Sequence, residues 1–287
     1  MRKGSLAIFA IAFIACGPPN RDHGGTGGDD DGTGPDGANP NGDCADGTEL
    51  VYTIDQFNNK LSQFDPATKT FHDIGVLQCQ VSGGATPFSM SVARDGMAWV
   101  LYNNGELFKV SIVTLACQKT QWTSPNGLKV FGMGFSTDEP GGSAETLYVG
   151  GGSSQTQSSY TLAAINTASL TAMPIGQQPA LPEMTGTGNA ELWGFFPDAT
   201  TPRVVQFDKS TGAIIKSYNE PTLAAQDPGY AFAHWGGDYW VFLVPSGGST
   251  TVYQVNGMTG AISSTTAAPG RTIVGAGVST CAPVVVL

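Results

Sequence analysis

Four acidic side chains fall at the ends of predicted strands: Asp55, Asp95, Glu191 and Asp238. Two carboxylates that face each other across a cleft are what most glycoside hydrolases use, one as acid and the other as base or nucleophile. A carbohydrate-active hydrolase or lyase is therefore one interpretation of this chain. The pairs Asp95-Gly96 and Gly237-Asp238 are also typical of hairpin turns, and this favours a turn function for both acids.

Histidine and cysteine patterns give no support to other catalytic chemistry. Of the three histidines, His23 lies in a glycine-rich N-terminal segment, which leaves only His72 and His234. The sequence has no G-x-S-x-G nucleophile turn and no H-x-x-H or C-x-x-C pair of metal ligands. We expect no metal and no cofactor, and we favour a non-enzymatic function.

A sequence repeat predicts the fold that positions these residues. Five aromatic residues recur at intervals of 45 to 49 residues, and a pattern of two short strands about a turn follows each one. The aromatics are Tyr52, Trp99, Tyr148, Trp193 and Trp240. Repeats of this length that consist of short strands are typical of a β-propeller, in which each blade buries its faces against its neighbours. The sequence therefore predicts an all-β, five-bladed β-propeller over residues 44–287.

The recurring aromatics have two interpretations. They could be stacking platforms for sugar rings, but one aromatic per blade at a fixed register is what repeated core packing gives, and we favour the core. Alternating small and large residues, such as Gly132 and Gly134 against Phe131, Met133 and Phe135, predict the innermost strands. Five strands around one axis need small side chains on one side, while the bulky set packs between blades.

A polar residue recurs where the turn of each two-strand pattern begins. Its side chain can accept hydrogen bonds from the backbone amides of the turn. Because a spacing of one blade puts these residues far apart, we predict local turn caps and not a set of metal ligands. The positions are Asp65, Ser111, Asn166, Asp208 and Asn256.

His234 and Trp235 are the predicted ligand-contact residues. They belong to the segment HWGGD at residues 234–238, which is typical of a tight turn between the first two strands of blade 5. An aromatic side chain in such a turn has less core to fill than one within a strand. We therefore expect these two side chains on a loop of one ring face, where they would contact a ligand; packing of Trp235 in the core is the alternative.

The C-terminal segment resembles an innermost strand without a blade of its own. VGAGVSTCAP at residues 274–283 matches FGMGFSTDEP at residues 131–140. The strands that it would join begin at Glu49, so we predict a ring in which the C-terminal strand completes the N-terminal blade.

Four cysteines follow Cys16, and an even number in an exported chain suggests two disulfides with three possible pairings. The predicted ring closure favours Cys44 with Cys281, which leaves Cys79 with Cys117. Free thiols are the alternative.

The N-terminus is typical of a secretory signal. Arg2 and Lys3 precede an apolar run over residues 6–15 that ends at Cys16. As a helix this run would span only about 15 Å, roughly half of a bilayer's hydrocarbon core. The tetrapeptide FIAC at residues 13–16 resembles the lipobox of bacterial lipoproteins, with Phe13 in place of the usual leucine. The resemblance implies that residues 1–15 are a signal peptide and that Cys16 is acylated; an ordinary signal peptide is the alternative.

Residues 16–43 are rich in glycine and aspartate and almost free of hydrophobic side chains. Such a composition predicts a disordered tether, with an end-to-end distance of roughly 30 Å. The acidic run at residues 29–31 lacks the ligand pattern of an EF-hand loop. We interpret it as a solvated spacer.

Net charge limits the partners that we expect. The formal charge is −10, and loss of Arg2 and Lys3 with the signal peptide would make it −12. An acidic surface argues against nucleic acid as a partner. The expected function is a binding or scaffolding module for protein or glycan in the cell envelope, held to the bilayer by acylated Cys16.

Overall fold

The computed structural model describes Met1 and residues 44–197, 201–223, 229–245 and 248–285. The predictions for the signal peptide, for Cys16 and for the tether lie outside these residues. Within the described part of the chain, no helix is long and apolar enough to cross a membrane.

The described residues form twenty strands in five antiparallel sheets of four, which are the five blades of a β-propeller. Blade 1 contains β1 (Val51–Asp55), β2 (Lys60–Asp65), β3 (Thr70–Val76) and β20 (Ile273–Val278); blade 2 contains β4 (Pro87–Val92), β5 (Met97–Tyr102), β6 (Leu107–Ser111) and β7 (Cys117–Lys119); blade 3 contains β8 (Val130–Thr137), β9 (Glu145–Gly152), β10 (Tyr160–Asn166) and β11 (Thr171–Gln178); blade 4 contains β12 (Glu183–Gly186), β13 (Leu192–Phe196), β14 (Arg203–Phe207) and β15 (Ile214–Asn219); blade 5 contains β16 (Gly229–Trp235), β17 (Asp238–Val244), β18 (Thr250–Asn256) and β19 (Ile262–Ala268). The predicted fold and number of blades are confirmed.

The innermost strands form a closed ring in the order β20, β4, β8, β12, β16 and back to β20. Strand β20 pairs with β1, so that Val51 lies opposite Val278 and Thr53 lies opposite Ala276. The predicted circular closure is therefore confirmed. The Cys44–Cys281 disulfide, with Cα atoms 6.1 Å apart, joins the first and last segments of the propeller beside this pairing.

The second predicted disulfide, Cys79–Cys117, is also present, with Cα atoms 5.2 Å apart. Cys117 begins β7, the outer strand of blade 2, and Cys79 lies in the connection that leads into the same blade. This disulfide therefore fastens one blade locally, whereas Cys44–Cys281 fastens the ring.

Glycines on the innermost strands allow neighbouring backbones to approach closely. A Cβ atom on Gly134 of β8 would lie 2.7 Å from Cα of Thr185 in β12, and one on Gly277 of β20 would lie 2.8 Å from Cα of Ser91 in β4. Real Cβ contacts are not this short. These small residues thus face the next inner strand of the ring, while the alternate residues Phe131, Met133 and Phe135 are buried between blades 2 and 3.

The recurring aromatics are core residues, as predicted. Tyr52, Trp99, Tyr148, Trp193 and Trp240 are each at most 8 % exposed. Each pairs across the blade with a residue of the third strand, for example Trp240 with Gln254.

The polar residues at the turns between third and fourth strands are local caps, as predicted. Asp208 Oδ1 accepts hydrogen bonds from the amides of Ser210 at 2.8 Å and Thr211 at 2.9 Å. The same two contacts recur in the other four blades. The fifth residue of each turn has a positive φ, and it is Gly212 in blade 4 and Leu170 in blade 3.

The two ends of the ring differ in what they carry. All innermost strands begin at one end, which also carries the loops between second and third strands; we call it the loop face. They end at the turn face, which carries the remaining hairpins. On the turn face, Pro283 accepts a hydrogen bond from the amide of Gly236 at 2.7 Å, so the C-terminal segment covers the first hairpin of blade 5.

The two disulfides should differ in their contribution to stability. Cys44 and Cys281 are 237 residues apart, and Cys79 and Cys117 are 38 apart. The chain-entropy model gives about 5 kcal/mol for the longer loop and about 4 kcal/mol for the shorter one. We expect Cys44→Ser/Cys281→Ser to unfold at lower urea concentration than Cys79→Ser/Cys117→Ser. If the two variants unfold at the same urea concentration, or in the reverse order, the disulfide that closes the ring does not contribute more stability than the local one.

Candidate functional site

A cavity of about 200 Å³ opens at the loop face on the ring axis. Every blade contributes to its wall. The lining residues are Gln56 and Val274 from blade 1, Pro87, Phe88 and Asn103 from blade 2, Gln155 from blade 3, Glu183 from blade 4, and Gly229 and Tyr230 from blade 5. We call this space the axial cavity.

Glu183 is the one carboxylic acid among the described lining residues. It is the first residue of β12 and is 2 % exposed. Its Oε2 accepts a hydrogen bond from Ser89 Oγ at 2.9 Å. Because Ser89 belongs to β4 of blade 2, two blades away around the ring, the Glu183 side chain crosses the axis.

Burial raises the pKa of Glu183 well above its usual value, and the hydrogen bond from Ser89 opposes this only in part. A carboxyl group in this environment is held in its neutral form. Such a group lowers the stability of the folded state when the pH favours its ionisation. Because this cost disfavours buried acids elsewhere in a protein, they are concentrated at functional sites.

Tyr230 forms the adjacent wall. Its hydroxyl donates to the carbonyl oxygen of Leu181 at 3.2 Å, and its ring contacts Phe195 edge-on, with centroids 6.2 Å apart. Burial raises the pKa of Tyr230, and the nearby Glu183 raises it further. The phenol therefore remains neutral at physiological pH.

Amide side chains form the outer part of the axial cavity. Asn103 and Gln155 are exposed, and Gln56 is half-buried. Asn103 is fixed in place because its Nδ2 donates to Thr86 Oγ1 at 3.1 Å and its Oδ1 accepts from the Thr86 amide. The mouth is thus polar and uncharged, above a floor that contains Glu183.

An exposed aromatic side chain stands next to this mouth. Phe57, which follows Gln56, is 76 % exposed. Its loop is held by Asp55, whose Oδ1 accepts from the amides of Phe57 at 3.0 Å and Asn58 at 3.2 Å and whose Oδ2 accepts from the Thr272 amide at 2.6 Å. Asp55 is therefore a structural acid that fixes the loop carrying Gln56 and Phe57.

The four carboxylates considered from sequence are not brought together. Asp55 lies at the loop face, whereas Asp95, Glu191 and Asp238 lie in first hairpins at the turn face. Each of these three accepts a local hydrogen bond: Asp95 from the Met97 amide, Glu191 from the Trp193 indole, and Asp238 from the Gln254 side chain. The turn interpretation of Asp95 and Asp238 agrees with these contacts.

The structure separates the two predicted ligand-contact residues. His234 and Trp235 are successive residues of β16 and therefore face opposite sides of the strand. His234 is buried beside Tyr239, and burial lowers its pKa to about 4. Trp235 packs against the core between blades 5 and 1, and its indole donates to the carbonyl oxygen of Glu49 at 2.9 Å.

Trp235 also lies far from the axial cavity. Gly229 lines the cavity at the start of β16, and Trp235 ends the same strand, about 20 Å away at roughly 3.3 Å per residue. A single ligand at the cavity does not reach both. The contact of Trp235 with Glu49 gives it a structural function in joining blade 5 to the N-terminal end of blade 1.

A more open depression of about 380 Å³ lies at the turn face between blades 2 and 3. Two of its charged residues, Arg94 and Glu145, are engaged in one hydrogen-bond network through Thr280. Glu145 accepts from the Arg94 amide at 2.9 Å and from Thr280 Oγ1 at 2.7 Å, and Arg94 donates to the same threonine oxygen. We regard this network as structural, because it ties the ends of the innermost strands β4 and β20 to the start of β9, the second strand of blade 3.

Comparison with known proteins adds no functional identity. No protein-family model and no curated protein matches the chain. Among solved structures, it is similar to a Bacteroides caccae protein of unknown function, with 10 % identity and a TM-score of 0.45 over 79 % of this chain and 97 % of that one. It is also similar to the calcium-binding protein regucalcin from Agrobacterium tumefaciens, with 11 % identity and a TM-score of 0.46 over 82 % and 75 %. It is similar as well to a luciferin-regenerating enzyme, with 12 % identity and a TM-score of 0.47 over 81 % of this chain and 76 % of that one. Likenesses at this level carry no argument about function.

Replacing Glu183 with glutamine should stabilise the protein increasingly as the pH rises. The folded pKa of Glu183 is above its unfolded value, so wild type gains stability from the neutral acid at low pH and loses it as the pH rises toward the folded pKa. The glutamine side chain of the variant would keep an acceptor for Ser89 and would not ionise. Urea unfolding at pH 5 and pH 8 measures the difference. A Glu183→Gln variant that is less stable than wild type at pH 8 would show that burial of the acid does not lower the free energy of unfolding at that pH.

Proposed function

We propose that the chain is a lipid-anchored, non-enzymatic binding module that acts outside the cytoplasm. The observation that carries the binding function is the axial cavity, which all five blades line and which contains a buried acid without a charged partner among the described residues. Folds seldom retain such a group for stability alone.

The size of the axial cavity limits what enters it. Its volume of about 200 Å³ is smaller than the roughly 300–1,000 Å³ of typical drug-sized sites. It therefore suits a small polar molecule or one end of a larger ligand, such as a glycan end or a side chain of a protein. Phe57 and the exposed amides would contact whatever extends beyond the mouth.

The same geometry favours binding over hydrolysis. Hydrolysis with two carboxylates requires a second carboxyl group about 5 to 9.5 Å from the first. Among the described residues that line the axial cavity, Glu183 has no such partner. The hydrolase or lyase alternative therefore receives no support from the described site.

Two observations support a location outside the cytoplasm. Both disulfides belong to an oxidising compartment. The N-terminal sequence resembles a lipoprotein signal that ends at Cys16. We propose that Cys16 carries the lipid and that the glycine-rich segment after it spaces the propeller from the membrane.

Lipid attachment is tested by Cys16→Ser. Wild-type protein should partition with membranes and carry acyl mass on an N-terminal peptide that begins at Cys16. The Cys16→Ser variant should lose both properties. An unmodified mature N-terminus at another residue in the wild type would contradict the anchor without affecting the binding proposal.

Ligand binding at the axial cavity is tested by filling its mouth. A panel of monosaccharides, amino acids and primary amines is screened by thermal shift against the full-length protein, and a glycan array covers larger sugars. The Gln155→Trp variant should bind any ligand found more than tenfold more weakly than wild type, and that ligand should no longer raise its melting temperature. Gln118→Trp is the matched control, since Gln118 is exposed on the outer strand β7.

Three results would contradict the proposal. Ligands that bind Gln155→Trp as tightly as wild type would place the site elsewhere, and a panel and array without any ligand would count against a binding function. Turnover of a bound sugar would show that the protein is an enzyme.

A further inference from the structure

The carboxyl group of Glu183 has no compensating cation near it in the described structure. Burial raises the pKa of Glu183, and the one interaction that lowers it again is the hydrogen bond from Ser89. Strand β12 packs against β8, β9, β13, β16 and β20. Of these, β8, β13 and β20 carry no titratable side chain.

The titratable groups on the other two strands do not supply a positive charge. Tyr230 of β16 is a neutral phenol, and His234 of the same strand is neutral at the opposite end. Strand β9 carries Tyr148 and also Glu145, which is engaged at the turn face with Thr280. The position beside Glu183 is therefore open to a cation from outside the protein.

The walls of the axial cavity fit an ammonium group. Tyr230 and Phe88 present aromatic rings, which attract cations through their negative faces, most strongly where water is excluded. The amide oxygens of Asn103, Gln155 and Gln56 at the mouth can accept hydrogen bonds from N–H groups. The formal net charge of −10 also attracts cations to the protein over long distances.

We propose that the axial cavity binds a small molecule through a primary ammonium group, with Glu183 as the counter-ion. This inference rests on the proposed function and names the chemical class of its ligand. When the ligand enters, the Glu183 carboxyl group gives its proton to solvent and the resulting carboxylate pairs with the ammonium group.

Two other ligand classes fit the cavity less well. Calcium prefers six to eight oxygen ligands and usually several carboxylates. The described residues contain no group of three or more His, Cys, Asp or Glu side chains that could hold a metal ion. A neutral sugar would use only the hydrogen-bonding capacity of the neutral acid, whereas an ammonium group also stabilises its ionised form.

The test uses n-butylamine and its neutral counterpart n-butanol with the full-length protein. An alkyl ammonium titrates near the lysine value of about 10.4, so n-butylamine stays charged between pH 5 and pH 8. Calorimetry should show binding of n-butylamine but not of n-butanol. Affinity should rise with pH by up to tenfold per unit, and titrations in two buffers of different ionisation enthalpy should show the release of up to one proton.

Glu183→Gln should weaken n-butylamine binding by more than tenfold and abolish proton release. Glu220→Gln is the matched control, because Glu220 is also a buried acid with a raised pKa but does not line the axial cavity. Circular dichroism checks that both variants fold. Proton release by the wild type is a readout that does not depend on any variant.

Several outcomes would overturn the inference: equal binding of n-butanol, binding of n-butylamine without proton release, or unchanged affinity in Glu183→Gln. Binding of calcium chloride or glucose in place of n-butylamine would also overturn it. If a screened ligand is lost in Gln155→Trp while n-butylamine does not bind, the proposed function stands and the ammonium inference fails.

Discussion

The close approach of five innermost strands around one axis is the constraint on which the rest of the structure depends. Backbone lies against backbone where Gly134 faces Thr185 and Gly277 faces Ser91. Any side chain at these glycines would separate neighbouring blades and lengthen the circumference of the ring. Because the ring is closed by pairing between β20 and β1, a change at one contact must be accommodated by all five blades.

The same constraint explains the placement of function in this molecule. At the turn face, the C-terminal segment covers one hairpin, and the Arg94, Glu145 and Thr280 network ties strand ends together. At the loop face the innermost strands begin, and the first residue of β12 extends across the axis to Ser89. Space on the axis is therefore available at one end, and the buried acid Glu183 lies there.

Features of this fold whose sequence matches another part of the chain were predictable, and features without such a match were not. The spaced aromatics and the turn caps recur once per blade, so five weak signals support one interpretation. Ring closure was predictable because the segment after Ile273 matches the sequence of β8. Glu183 was missed because β12 has only four residues and shows little alternation. An acid at the start of an otherwise uncharged innermost strand was the available signal.

His234 and Trp235 show why a turn motif did not identify the site. Their segment forms the expected Gly236-Gly237 hairpin, with positive φ at both glycines. Its position at the turn face, however, depends on strand direction around the ring, which a local motif does not contain.

His234 and Glu183 are both buried titratable residues, but their surroundings differ. His234 is buried in its uncharged form beside Tyr239. Glu183 lines the axial cavity, so the charge of a bound ligand can stabilise the ionised form of this acid.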